Sequence, residues 1–286
     1  MRYQHIFLLL VLLTILSIAC EKPVNITPSY EGNKLVVNTM MQQDSPIYVR
    51  VTRSVPVNVY DESAFEELPS VNISLTDESG TVLPLQRQQI LGKWYYVSSA
   101  AAVRGHRYKV AASATGLVGV EASDTLPQKP QAWDATAQKG SSRIKFILKD
   151  NPGTHDYYQL RVYNIDTANR PISALYFKLD PAFNNNLMDI LSTAQRSILI
   201  MNDNRFDGRE VTFVLQTQDL VPTTGKLMVE VTALTYNAYQ YLKTATEQSE
   251  SYGDIVSEPV RVFTNVINGY GIVAGINSNK LVFKVD

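Results

Sequence analysis

From Lys34 onward, apolar residues recur at every second position. Ile47, Val49 and Val51 alternate with Tyr48, Arg50 and Thr52, and Val71, Ile73 and Leu75 alternate with Asn72, Ser74 and Thr76. Successive side chains on a strand point to opposite faces, so this period predicts strands with one buried and one wetted face. Leu35-Val36-Val37 predicts a buried strand. Asp77-Glu78-Ser79-Gly80 predicts a turn, after which Thr81-Val82-Leu83 resumes the pattern as the return arm of a hairpin. Lys93 to Val97 and Tyr108 to Ala112 are further strands, separated by Arg104-Gly105-His106. Six or seven short strands within about 100 residues predict an immunoglobulin-like β-sandwich over 34–127.

The pattern breaks at Leu126-Pro127-Gln128-Lys129-Pro130, which places a domain boundary there. Residues 128–286 are expected to form a second strand-rich domain with one or two short helices, so the fold class is mainly β. Its strands are expected at Arg143–Leu148, Tyr157–Ile165, Ala174–Leu179, Ser197–Met201, Val211–Gln216, Leu227–Leu234, Val260–Val266 and Lys280–Val285. Around 236–250 the period changes. Ala238, Tyr239, Leu242 and Ala245 fall on one face of a helix, with Gly253 as its stop. A second short helix is expected at Asn186–Thr193.

The chain opens with Arg2 and then an apolar run from Ile6 to Ala19. That run is shorter than the ~20 residues needed to span a bilayer and fits the core of an export signal over 1–19. Cys20, the one cysteine of the chain, stands where the run ends. Leu16-Ser17-Ile18-Ala19-Cys20 resembles a bacterial lipobox, which implies cleavage before Cys20 and acylation of its thiol, with palmitate among the chains. One acyl chain holds a protein only marginally, and two or three anchor it stably. Residues 20–33, with Pro23 and Pro28, read as a lipidated tether.

Composition narrows the chemistry. With 26 basic and 27 acidic side chains the formal net charge is -1, so no global field draws in nucleic acid. One cysteine excludes a disulfide framework within the chain. Beyond the signal only His106 and His155 remain, with no HExxH, CxxC or GxSxG pattern, so no metal, cofactor or catalytic residue is assigned. Gly269-Tyr270-Gly271-Ile272-Val273-Ala274 matches a dinucleotide fingerprint in spelling only. Too little chain follows for the helix and second strand that such a loop needs, and its glycines are expected to permit a turn or a close backbone approach. Asp203-Asn204-Arg205-Phe206-Asp207-Gly208 resembles the start of a calcium loop, but Arg205 stands where a ligand oxygen is needed and no Glu closes it. A turn between strands is expected there. The pairs Glu66-Glu67 and Asp203/Asp207 are expected to be solvated surface.

Tyrosine is the compositional excess, at 16 against 9 Phe and 2 Trp. Trp94-Tyr95-Tyr96 puts rings on both faces of a strand, and Tyr236 and Tyr239 gather with Tyr241 on the expected helix. Tyr and Trp offer large apolar area with a polar handle and suit sugar, peptide or protein contacts. Trp94, Tyr95, Tyr96, Tyr236 and Tyr239 are therefore the candidate ligand-binding residues.

Several segments taken in order carry a family resemblance. They are Lys34 to Asn38, Ile47 to Pro56, Asn202 to Gly208, the helix around Tyr236 to Tyr241, and Glu258 to Gly275. With them the chain resembles an outer-membrane lipoprotein family of Bacteroidota catalogued as domain of unknown function 4249. The resemblance implies a lipid-anchored envelope protein, periplasmic or surface-exposed, that works beside a TonB-dependent receptor in nutrient capture. It brings no catalytic or ligand residues. The expected role is a non-catalytic binding or accessory component, with the membrane, such a receptor and a glycan or peptide as partners. The alternatives are an adhesin or fimbria-like subunit and, last, a surface hydrolase. Asp124-Thr125-Leu126 and Asp166-Thr167-Ala168 are similar to the O-glycosylation sites of that phylum.

Overall fold

The computed structural model describes residues 30–56, 67–68, 70–184, 194–222, 225–251 and 260–285. The expected signal 1–19, Cys20, most of the tether, the helix at Asn186–Thr193 and the stop at Gly253 lie outside the described residues. Asn33–Val55 and Asp61–Asp286 form one compact unit. A second unit comprises Met1–Gly32 and Pro56–Tyr60. Its described residues, Tyr30–Gly32 and Pro56, have no regular secondary structure.

The chain is mainly β. The first half carries β1 (Leu35–Gln42), β2 (Pro46–Arg53), β3 (Asn72–Asp77), β4 (Val82–Leu83), β5 (Leu85–Ile90), β6 (Lys93–Ala101), β7 (Arg107–Ser113) and β8 (Val120–Thr125). The second carries β9 (Gln131–Ala137), β10 (Arg143–Lys149), β11 (Tyr157–Ile165), β12 (Pro171–Ala174), β13 (Phe177–Leu179), β14 (Leu199–Asn202), β15 (Glu210–Thr217), β16 (Lys226–Leu234) and β17 (Tyr270–Lys284). Among the described residues two helices accompany them, the single turn α1 (Pro181–Asn184) and the longer α2 (Tyr236–Ser251).

The strands form three sheets. A nine-stranded sheet runs β12-β11-β16-β17-β1-β2-β6-β5, with β14 paired to β11. Two four-stranded sheets run β13-β15-β10-β9 and β4-β3-β7-β8. The alternation read from the sequence sets which faces meet. Ile47, Val49 and Val51 of β2 pack with Leu75 of β3 and Val110 of β7 in one core. Phe146 of β10, Phe213 of β15, Leu160 of β11 and Val229 of β16 meet in another. There Phe146 stacks on Phe213 at 5.3 Å, and Phe206 meets Phe213 edge-on at 5.6 Å. Burying each such ring is worth about 1.5–3 kcal/mol.

The strand β17 serves both cores. Tyr270 to Ile276 pair in parallel with Val36 to Gln42 of β1. Ile276 to Lys284 pair antiparallel with β16. Val273 enters the first core, while Leu281 and Phe283 pack on the second. β1 lies within 34–127 and β17 within 128–286, so the two sequence halves share one sheet.

This strand is also the largest departure from the expected elements. The glycine-containing stretch opens a 15-residue strand rather than forming a turn before a last short one, and of the two roles expected for its glycines the close approach is the one they take. Gly271 has φ +97° and a Cβ there would lie 2.2 Å from Val37 O; at Gly275 a Cβ would lie 2.3 Å from Thr125 O. These glycines allow close backbone approach. Val260–Val266 is not a strand. In its place the Asn265 amide accepts from Val273 N–H (3.0 Å) and donates to Val273 O (2.8 Å), imitating a partner backbone. Ala174–Leu179 splits into β12 and β13 at Leu175-Tyr176. The helix at 236–250 is α2. Thr235 caps it, its Oγ1 accepting from Ala238 N–H at 3.2 Å, and Ala238 and Leu242 pack on Ile272 and Ala274 of β17.

Candidate functional site

The β4-β3-β7-β8 sheet turns Leu75, Val110 and Ala122 to the core, so its opposite face is wetted. The register lays that face out in rows. Asn72 stands beside Ser113, and Ser74 beside Ala111 and then Glu121. Thr76 stands beside Lys109 and then Ser123. A raised loop at one side turns this flat face into a groove. Two adjoining clefts result, about 400 Å³ over the Asn72 and Ser74 rows and about 550 Å³ over the Thr76 row. Glu121 and Ile267 line both.

Local geometry puts Ile267 there. Its N–H donates to Glu121 O at 2.9 Å, closing the open edge of β8. Val266 before it is buried. Asn268 after it adopts φ +62°, and a Cβ on Gly269 would meet Leu35 O at 2.6 Å. The chain is drawn down on both sides, which leaves Ile267 standing proud and 57% exposed.

The charges of the larger cleft are matched internally. Lys109 Nζ lies 2.6 Å from Glu121. Arg107 donates to Ser123 Oγ at 2.7 Å. The Ser79 hydroxyl, helped by the N–H groups of Thr81 and Ser79, holds the Asp77 carboxyl below its usual range. In the smaller cleft Asn72, Ser74, Ser113 and Asn268 make no side-chain hydrogen bond among the described residues. Each offers donor and acceptor capacity to whatever occupies the groove.

The residues singled out by sequence occupy other places. Tyr96 packs on the first core. Tyr95 faces the other way and meets Tyr48 edge-on at 6.5 Å. The Arg87 guanidinium lies 4.4 Å over the Trp94 ring. Tyr236 and Tyr239 are brought together with two residues the sequence did not suggest. Tyr239 stacks on Tyr157 at 4.5 Å, and Tyr236 lies 5.9 Å from Tyr157 and 6.3 Å from Phe263. Burial, then the neighbouring tyrosines, pushes the Tyr157 hydroxyl above its usual range. None of these five lines the groove. Its residues carry little signal one by one; the available cue is the wetted half of the Asn72-Ser74-Thr76 alternation.

The turn at Asp203–Gly208 forms as expected, with Phe206 N–H donating to Asp203 O at 2.7 Å. It also brings Asp203 to Asp150 and Asp156, with one oxygen of each within 4.8 Å of the others. Among the described residues these are the carboxylates placed to share a hard cation. They also tie loops together. Asp150 accepts from Tyr158 Oη (2.7 Å) and Gly208 N–H (2.9 Å), and Asp203 accepts from Asp156 N–H (2.8 Å). Burial, then its acidic neighbours, leaves the Asp150 carboxyl above its usual range despite those bonds.

Sheets packed face to face around two cores, with a polar groove on one outer face, define a mainly β protein of the sandwich type. Its relatives are found by sequence: the chain belongs to the family described as Domain of unknown function (DUF4249), whose family model matches residues 21–281. No curated protein matches. Among solved structures, a DUF4785 family protein from Legionella pneumophila is 11% identical with a TM-score of 0.24. That likeness covers 72% of this chain and 53% of that one, so the chain spans about half of its length. The Mu homology domain of Danio rerio Fcho1, with bound peptide, is 11% identical over 89% of this chain and 96% of that one, also with a TM-score of 0.24. Both superpose poorly.

Proposed function

We propose that this chain is a lipid-anchored, non-catalytic binding component of the bacterial outer membrane, held by acylated Cys20 and working beside a TonB-dependent receptor in nutrient capture. The observation that carries the reading is the one cysteine placed directly after the apolar run Ile6–Ala19 and before a Pro-containing tether. Family membership supports it, through the lipoprotein character that the resemblance implies. The anchor is a lipid in this account, and no helix among the described residues is long and apolar enough to cross a membrane. A groove with uncommitted hydroxyl and amide groups suits reversible binding. Co-purification from native envelope membranes in mild detergent tests the role. Recovery of a large β-barrel receptor with the tagged chain is the expected result, and its repeated absence under the same conditions contradicts it.

A further inference from the structure

We infer that the groove over β3, β7 and β8 binds a neutral oligosaccharide, laid across Ile267 with sugar units in the cleft on either side. The inference names the ligand class of the capture role and rests on that role being binding.

The floor of the groove sets the first constraint. Ser74, Ala111 and Ser113 are short, so a ligand can lie close to the sheet over several residues of β7, whose rise is about 3.3 Å per residue. The two clefts, about 400 and 550 Å³, share Glu121 and Ile267, so they are two subsites of one groove.

The chemistry of the lining sets the second. The larger cleft holds Arg107 and Lys109 against Asp77, Glu78 and Glu121. Lys109 and Glu121 satisfy each other, Arg107 is bonded to Ser123, and Asp77 is occupied by its own turn. No surplus of positive charge awaits a carboxylate or phosphate. The uncommitted groups are hydroxyls and amides, at Asn72, Ser74, Ser113 and Asn268. Each can both donate and accept, and the ligand that answers such a set is one whose hydroxyls do the same.

The third constraint is Ile267. It is the exposed apolar side chain at the junction of the clefts. It offers a C–H surface against which the apolar face of a sugar ring can pack. An extended peptide would instead seek a free strand edge, and the β8 edge beside the groove is closed by Ile267 N–H and the Asn265 amide.

The test is calorimetric titration of the full chain in mild detergent with maltohexaose, cellohexaose, mannohexaose and xylohexaose. Hexagalacturonate and hexa-alanine serve as the anionic and peptide probes. The expected result is saturable binding of at least one neutral hexasaccharide. Ile267→Asp should weaken it about tenfold or more, and Ala111→Tyr, which fills the floor, should abolish it. Both positions face solvent, and thermal melting that matches the wild type shows both variants folded. Binding of no neutral hexasaccharide, of the anionic or peptide probe alone, or undiminished binding by Ala111→Tyr overturns the inference. The titration reads the groove and envelope co-purification reads the role, so each can fail without the other.

Discussion

Asp124 joins three elements, and its removal gives the sharpest test of how they are held. It lies on β8, and its Oδ2 accepts from Gly275 N–H of β17 at 3.1 Å and from the hydroxyl of Thr235, the cap of α2. Its Oδ1 accepts from Thr125 N–H at 2.8 Å. Asp124→Ala leaves the Gly275 and Thr235 donors without their acceptor in a largely buried place. Each stranded donor costs about 1–3 kcal/mol, so the expected loss is about 2–6 kcal/mol. With a urea slope near 3 kcal/mol/M, the midpoint falls by about 1 M. Asp124→Asn keeps one acceptor oxygen and should lose less. The pH dependence adds a second reading. Burial outweighs the hydrogen bonds and leaves the Asp124 pKa above its unfolded value. A raised carboxylate contributes stability that is fully present below the unfolded pKa and is lost as pH rises through the folded one. The deficit of Asp124→Asn relative to wild type should therefore widen from pH 7 to pH 4. An Ala variant as stable as wild type, or an Asn deficit constant over that range, would refute the reasoning.

Two further substitutions probe the backbone. Gly271→Ala places a methyl 2.2 Å from Val37 O at φ +97°; a left-handed position alone costs about 1–2 kcal/mol, and with the contact the loss should exceed 3 kcal/mol, so an unchanged melting temperature contradicts the parallel β1–β17 pairing. Leu91 stands at φ +49° in the β5–β6 turn, followed by Gly92 at φ +79°, and is 98% exposed; Leu91→Asn supplies the residue such a turn favours and should stabilise by about 0.5–1 kcal/mol, whereas a lower urea midpoint argues against the turn.

What was legible in the sequence follows from where burial is one-sided. β2, β3 and β7 alternate cleanly because one face meets a core and the other water. β5 reads Leu-Gln-Arg-Gln-Gln-Ile, with its four central residues exposed, so no period announces it. β8 and β9 are short and interrupted by polar residues, and at Asp134 the φ of +55° and a register shift in the facing strand break the alternation of β9. β17 was hidden by its glycines, which signal a turn in isolation and a close strand approach in context. The groove was the least legible feature. Its residues come from three strands, a loop and the start of α2, and only the register brings them side by side. The tyrosines drew notice for their chemistry, yet Tyr96, Tyr157 and Tyr239 are drawn into packing because their rings carry more apolar area than their hydroxyls need water.

The claim on which the proposed role stands is the anchor. Intact-mass spectrometry of the chain isolated from its native envelope tests it directly. The account predicts a polypeptide beginning at Cys20 and carrying the added mass of a diacylglyceryl group and an N-acyl chain. A product that retains residues 1–19, or one that begins with an unmodified Cys20, would contradict it.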